Sequence, residues 1–388
     1  MSQKRLSRRE FIKSAAIGVG GLSIGVAAVN NLLLNPTGNL TVGFSGDAPQ
    51  KLWKWSRSAD WWEAKGRTVR CTLCPHECHL YEGDRGFCRN RVVKDGKLYT
   101  LTYENPCAVH VDPVEKKPLY HFLPGTKILS LATAGCNLRC LNCQNWDISQ
   151  SKPEATENSE VTIESIVQYC STKSLPSIAY TYSEPIAFFE YTKDTSIAAR
   201  KRGLRNVLVT AGYINENPLR ELCQVVDAAN VDIKTFDEHT YKKLTGATLE
   251  PVLKALKVMK EENVWIEITR LIVPYYSDDL GDIKSMCQWI ARELGRDTPL
   301  HFSRFHPAYK LQHVPPTSIA LLEDSYHIAK AEGLDFVYIG NAATSLGRDT
   351  VCPKCLEKVI VREGFAIIEN KVVDGRCPCG QKIAGIWK

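Results

Sequence analysis

The chain has 388 residues, 24% charged and 44% hydrophobic, with a formal charge of +6. This is globular composition and excludes a disordered or collagen-like chain. The charge is mild for this length and no long Lys/Arg stripe occurs, so no nucleic-acid footprint is indicated.

The N-terminus reads Ser7-Arg8-Arg9-Glu10-Phe11-Ile12-Lys13, and a mostly apolar, Gly- and Ala-rich stretch runs from Ala15 to Leu34. It resembles a twin-arginine (Tat) export signal, with Val26-Ala27-Ala28 the nearest approach to a cleavage site. Residues 1–35 are therefore expected to be a signal or anchor at the cell envelope. The alternative is a basic amphipathic helix on a cytoplasmic protein. Residues 35–50, with Pro, Gly, Asn and Ser, read as a linker.

Fifteen cysteines follow, and they are clustered. One group is Cys71, Cys74, Cys78 and Cys88, a second is Cys136, Cys140 and Cys143, and a third is Cys352, Cys355, Cys377 and Cys379. Disulfide frameworks belong mainly to small secreted chains, whereas close C-x-x-C pairs let several thiolates converge on one metal centre. Trp53, Trp55, Trp61 and Trp62 precede the first group and are expected to pack a small core.

From about residue 126 the pattern alternates. Apolar runs at Lys127–Ala132, Ser177–Tyr182, Asn206–Thr210, Asn230–Ile233, Trp265–Val273, Leu300–Phe305 and Phe336–Ile339 read as buried strands. Between most of them lie helical patterns at Ile163–Cys170, Ile186–Arg202, Pro218–Ala229, Pro251–Glu262, Leu280–Leu294 and Thr317–Gly333. Fully apolar strands alternating with helices predict an α/β fold with a parallel sheet. Repeated right-handed crossovers curl such a sheet toward a partial (β/α)6-type TIM barrel. The expected domains are the signal segment, a Cys-rich region over 36–120, the α/β core over 121–345 and a Cys-rich module over 346–388.

Cys136-x3-Cys140-x2-Cys143 stands directly after the first of these strands, at the end where parallel α/β barrels carry their chemistry. Three thiolates can ligate three irons of a [4Fe–4S] cluster and leave the fourth open to a substrate. A zinc site short of one ligand, or a ferredoxin-type site borrowing a fourth cysteine, are the alternatives.

This segment resembles the hallmark of the radical S-adenosylmethionine (SAM) superfamily. The resemblance implies that the open iron binds SAM and that an electron from the cluster cleaves it to a 5′-deoxyadenosyl radical, which abstracts hydrogen from a substrate. One departure is Asn142, where that superfamily usually has an aromatic residue. Tyr180-Thr181-Tyr182-Ser183-Glu184-Pro185 looks like the SAM-facing segment of the pyruvate formate-lyase-activating branch, and Asp232-Ile233-Lys234 looks like its D-[IL]-K strand end. The resemblance makes Ser183, Glu184, Asp232 and Lys234 cofactor-binding. His306, in Arg304-Phe305-His306-Pro307, joins them as a strand-end residue facing the mouth. The plainer readings are a helix cap for Glu184 with Pro185 behind it, an exposed ion pair for Asp232 and Lys234, and a surface histidine for His306.

The outer cysteine groups have their own expectations. Cys352-x2-Cys355 and Cys377-x-Cys379 predict a zinc-ribbon-like site, and Cys71, Cys74, Cys78 and Cys88 predict zinc or an auxiliary cluster. Together with Ala384-Gly385-Ile386-Trp387, these modules give the chain a close resemblance, over about residues 60–388, to AmmeMemoRadiSam-system radical SAM proteins. That implies an oxidoreductase whose partners are SAM, a low-potential electron donor and an unidentified small-molecule or protein substrate. A glycyl-radical activase and a non-catalytic electron-transfer protein are the rival functions.

Overall fold

The computed structural model describes residues 52–388. The signal-like segment around Arg8-Arg9 and the linker over 35–50 lie outside the described residues. Among those described, no helix is long and apolar enough to cross a membrane.

The centre is an eight-stranded sheet whose spatial order follows the chain. Its strands are β1 (Ala108–Pro113), β2 (Lys127–Ala132), β3 (Ser177–Tyr180), β4 (Arg205–Thr210), β5 (Ala228–Asp232), β6 (Trp265–Ile272), β7 (Leu300–Arg304) and β8 (Val337–Gly340). Strands β2 to β8 are parallel, and β1 pairs antiparallel with β2. All of β3 and all but the first residue of β2 are buried, as strands covered on both faces must be. β1 and β8 do not pair with each other among the described residues, so the sheet is open.

The helices are α1 (Trp146–Ser149), α2 (Ile163–Thr172), α3 (Phe189–Lys201), α4 (Glu216–Cys223), α5 (Glu238–Thr245), α6 (Glu250–Glu261), α7 (Leu280–Glu293) and α8 (Ile319–Ala331). Side-chain caps start several of them: Thr162 accepts from Ser165 N, Asp237 from Thr240 N and Asp279 from Asp282 N. Helices α1 and α5 were not expected from the sequence, and three further elements differ from the expectation. The helix expected through Ala229 stops at Cys223, because Asp227 turns back to pair with Asn206 on β4, and Ala228 and Ala229 then enter β5. The helix expected from Ile186 opens as a 3-10 turn, Pro185–Phe188. β1, within the region expected to be merely Cys-rich, is the antiparallel edge of the main sheet.

Before the sheet stand two small antiparallel sheets. One joins Arg57–Ser58, Lys97–Thr100 and Arg91–Lys94; the other joins Trp62–Lys65, Thr68–Cys71 and His79–Leu80. Trp55 packs with Leu52, Val92 and Leu101 in a small core of its own, as expected of these tryptophans. Trp61 and Trp62 instead lean on the main core.

The C-terminal module is a three-stranded antiparallel sheet of β9 (Thr350–Val351), β10 (Lys358–Glu363) and β11 (Ala366–Asn370). It docks on the segment that enters β2. Ile386 bridges to Phe122, and Arg362, fully buried, donates to Tyr120 O at 2.9 Å. A buried polar network holds this joint. Glu267 accepts from Tyr120 N at 2.9 Å, His121 N at 2.8 Å and His301 Nε2 at 2.7 Å. His121 Nδ1 donates to Ala384 O at 2.6 Å, which leaves Nε2 to accept from Tyr338 Oη at 2.5 Å.

That tautomer is neutral, and burial pushes His121 down to about 4, against the opposing pull of Glu267 and the Ala384 carbonyl. A folded-state value below the ordinary one means stability is complete above pH 6.5 and is lost as pH falls through about 4. Melting curves of the native chain and His121→Gln should therefore differ most above pH 6.5 and converge toward pH 4. A difference independent of pH would contradict this tautomer.

Candidate functional site

The parallel strands all end at one edge of the sheet, and each core residue singled out in the sequence lies at or just after a strand end there. Cys136, Cys140 and Cys143 follow β2, Ser183 and Glu184 follow β3, Asp232 closes β5 with Lys234 just beyond, and His306 follows β7.

The cysteine loop is held by main-chain bonds. Gly135 N donates to Ile148 O at 2.9 Å, Arg139 N to Thr245 O at 2.6 Å and Leu141 N to Leu244 O at 2.9 Å. The loop is thus clamped to α1 and to the last turn of α5. Gly246 ends α5 in the left-handed region at φ +71°, and a Cβ there would lie 3.3 Å from Arg139 Cβ. Burial pushes Cys136 well up, and pushes Cys140 up to about 12 with Lys234 opposing. Cys143 is also raised by burial, with Ser149 opposing. Unliganded, Cys136 and Cys140 are protonated at neutral pH, and a metal must displace those protons.

Glu184 is almost fully buried and heavily bonded. Its carboxylate accepts from Thr210 Oγ1 at 2.5 Å, Ala211 N at 2.9 Å and Ile186 N at 3.3 Å. It therefore caps the 3-10 turn, with Pro185 at the first position, and also ties β3 to the end of β4. Burial raises it to about 6, although the Thr210 and Ala211 bonds hold it down. Ser183 Oγ donates to Thr133 O at 2.7 Å, closing the gap between β2 and β3.

Lys234 Nζ meets Asp232 Oδ2 at 2.5 Å, and the two side chains are 17% and 27% exposed, so the pair is not a surface one. Burial works to lower the Lys234 ammonium's pKa, but Asp232, Cys140 and Cys143 more than offset this and raise it. Lys234 also acts on Glu184. The structure thus brings Cys136, Cys140, Cys143, Glu184, Asp232 and Lys234 into one electrostatic neighbourhood. Ser183 stands at its rim. His306 is exposed, with no hydrogen-bond partner among the described residues.

Sequence reasoning missed several contributors. Tyr241 on α5 is fully buried, and its hydroxyl has no partner among the described residues yet is acted on by Cys140, Asp232 and Glu184. The side-chain oxygens of Asn137 and of Asn142, the latter noted in the sequence only as a departure, are likewise buried with no partner among the described residues. Three thiols on one loop, beside a buried cation and orphaned polar atoms, suit a multi-iron centre with one ligand position open. Trp146 and Tyr309 stack at 5.4 Å, 14° from parallel, and Trp146 is exposed. No spacing rule in the sequence signals these residues.

Arg270, fully buried, sits behind the site. It donates to Asp282 on α7 at 2.6 Å, and the same Asp282 oxygen accepts from Thr235 Oγ1 at 3.2 Å and Phe236 N at 3.1 Å. The pair therefore fixes the loop just after Lys234. Breaking such a buried pair costs about 3 kcal/mol. Asp282→Ala should lower unfolding stability in urea by about that much; a loss under roughly 0.5 kcal/mol would show the pair to be idle.

The last cysteine group differs from the others. Among the described residues, Cys352, Cys355, Cys377 and Cys379 form the one set of three or more Cys, His, Asp or Glu whose donor atoms all lie within 4.8 Å of one another. Cys352 and Cys379 sulfurs are 3.7 Å apart, and those of Cys355 and Cys377 3.6 Å. Tetrahedral zinc with bonds of about 2.3 Å sets its sulfurs about 3.8 Å apart.

The family model described as the radical SAM superfamily matches residues 130–290. A protein of Methanocaldococcus jannaschii, described as uncharacterized, is 48% identical over 318 residues, covering 81% of this chain and 95% of the relative. The pyruvate formate-lyase 1-activating enzyme of Escherichia coli is 25% identical over 194 residues, covering 47% of this chain and 75% of that enzyme. Among solved structures, a domain of pyruvate-formate lyase-activating enzyme from Bacteroides vulgatus aligns with TM-score 0.38 and 16% identity, covering 42% of this chain and 98% of that domain. A radical SAM methyltransferase from Sphaerobacter thermophilus aligns with TM-score 0.45 and 12% identity, covering 74% and 76%.

Proposed function

This chain belongs to the radical SAM superfamily and is an enzyme of that kind, and we propose that Cys136, Cys140 and Cys143 hold its [4Fe–4S] cluster with one iron left for S-adenosylmethionine. When bound, that cluster supplies the electron that cleaves SAM to methionine and a 5′-deoxyadenosyl radical. The observation that carries the reading is the convergence of the three thiols with Glu184, Asp232 and Lys234 at one edge of the sheet.

The chain's own residues then have separate tasks. Lys234 places a buried positive charge beside Cys140 and Cys143, which stabilises their thiolate forms. Glu184, locked by Thr210 and Ala211, offers a fixed carboxylate to the ammonium of SAM. Asp232, held by Lys234, and Ser183 complete the cofactor side. His306, exposed beyond β7, is left to the outer part of the mouth.

The substrate donates a hydrogen atom to this radical. A backbone glycine of a partner protein is the second reading, favoured by the similarity to enzymes named as activators of pyruvate formate-lyase. A zinc ion held by Cys352, Cys355, Cys377 and Cys379 is proposed for the C-terminal module, where it fastens the joint around His121.

After anaerobic reconstitution with iron and sulfide, the native chain should form 5′-deoxyadenosine from SAM under dithionite, and Cys140→Ala should form none. Product from Cys140→Ala at the native rate would reject the assignment. For the module, Cys355→Ser should lose one zinc by elemental analysis and melt several degrees lower, while 5′-deoxyadenosine formation per folded chain changes less than about twofold. Zinc content equal to the native chain's would reject that site.

A further inference from the structure

Four thiols play no part in the site just described. Cys71 ends the strand Thr68–Cys71, Cys74 and Cys78 lie on the turn that follows, and Cys88 lies on the loop before Arg91–Lys94. The turn is fixed by Cys71 N donating to Cys78 O at 3.0 Å and Glu77 N donating to Cys74 O at 3.0 Å. All four cysteines line a single cavity, together with Arg91 and Asn137.

Two four-cysteine sets in one chain can be compared directly. The C-terminal sulfurs stand in near contact, at 3.6 and 3.7 Å. The sulfurs of Cys71, Cys74, Cys78 and Cys88 do not all fall within 4.8 Å of one another, although all four line one small cavity. One zinc ion draws four sulfurs to about 3.8 Å. A four-iron cubane puts its own irons and sulfides between the thiolates and so sets them farther apart than one zinc does.

The cavity also presents donors to sulfur. Phe87 N donates to Cys78 Sγ at 3.3 Å, and Arg91 Nη1 donates to Cys71 Sγ at 3.6 Å. Arg91 is 1% exposed and is paired with Glu190, which is equally buried. Among the described residues its Nε has no partner, and neither has the side-chain oxygen of Asn137. Hydrogen bonds to ligand sulfur and nearby charge are what set the potential of an iron–sulfur centre.

The cavity backs onto the Cys136 loop. Gly135 has φ +90°, and a Cβ there would lie 2.5 Å from the Cys88 carbonyl and 2.2 Å from Asn90 Oδ1. Asn137 O meets His76 Nε2 at 2.8 Å, and the Arg139 guanidinium donates to Phe87 O.

We infer that Cys71, Cys74, Cys78 and Cys88 hold a second [4Fe–4S] cluster, with every iron ligated by protein, one layer of chain away from the Cys136 loop. Arg91 tunes its potential through the bond to Cys71. Because all its irons are ligated, this cluster does not take SAM. Its binding does not depend on the reading of the Cys136 group.

Native mass spectrometry of the full chain, reconstituted anaerobically with iron, sulfide and zinc, decides the matter without any variant. Two four-iron clusters and one zinc per chain are expected; one cluster and two zincs would overturn the inference. The triple variant Cys136→Ala/Cys140→Ala/Cys143→Ala should keep one cluster, whose reduced electron paramagnetic resonance signal is unmoved by SAM. Loss of all iron from that variant, with native circular dichroism, would also overturn it. Arg91→Lys should lower the midpoint potential of the SAM-insensitive signal alone; a shift in the other signal instead would remove Arg91 from this role.

Discussion

Two main-chain bonds, from Arg139 to Thr245 and from Leu141 to Leu244, hold the cysteine loop against the end of α5. The loop carries three half-buried thiols that repel one another when ionised, so it would not keep this shape through its side chains alone. The clamp supplies the rigidity from outside. It depends in turn on Gly246, which lets α5 stop beneath Arg139 without a side chain in the way. Tyr241, one turn earlier on the same helix, is brought under the thiols by the same contact. α5 thus works as a floor, and the strand-end residues Glu184, Asp232 and Lys234 as walls.

Electrostatics in this pocket follow from that enclosure. Burial disfavours charge on every group, and each charged residue persists only because another faces it. Lys234 stays protonated because the Asp232 carboxylate faces it, against the cost of burial. Glu184 is raised only to about 6, because three hydrogen bonds support its ionised form. A cationic ligand entering here would meet a carboxylate already fixed in place, with little reorganisation to undergo.

Much of this was legible in the sequence, and the reasons for the rest are physical. The strands β2 to β8 were visible because parallel strands buried on both faces are continuous apolar runs. β1 was not, because Ala108–Pro113 carries His110, Asp112 and Pro113 and reads as polar; it earns its place as an edge strand. α5 was missed because eight residues give too short a period, and its role comes from contacts over a hundred residues away. Cys136, Glu184 and Lys234 were found through spacing beside strand ends. Asp282 and Tyr241 were not, because an ion-pair partner and an orphan phenol leave no local pattern.

The joint between Phe122 and Ile386 links positions far apart along the chain. During synthesis the edge of the sheet that begins at β2 emerges long before its cover does. Tyr120, His121 and Phe122 lack the part of their cover that the C-terminal module supplies until that module is made, and a loop that long is slow to close. The nascent chain therefore presents an incompletely covered underside at that stage, the kind of surface through which unfinished chains associate.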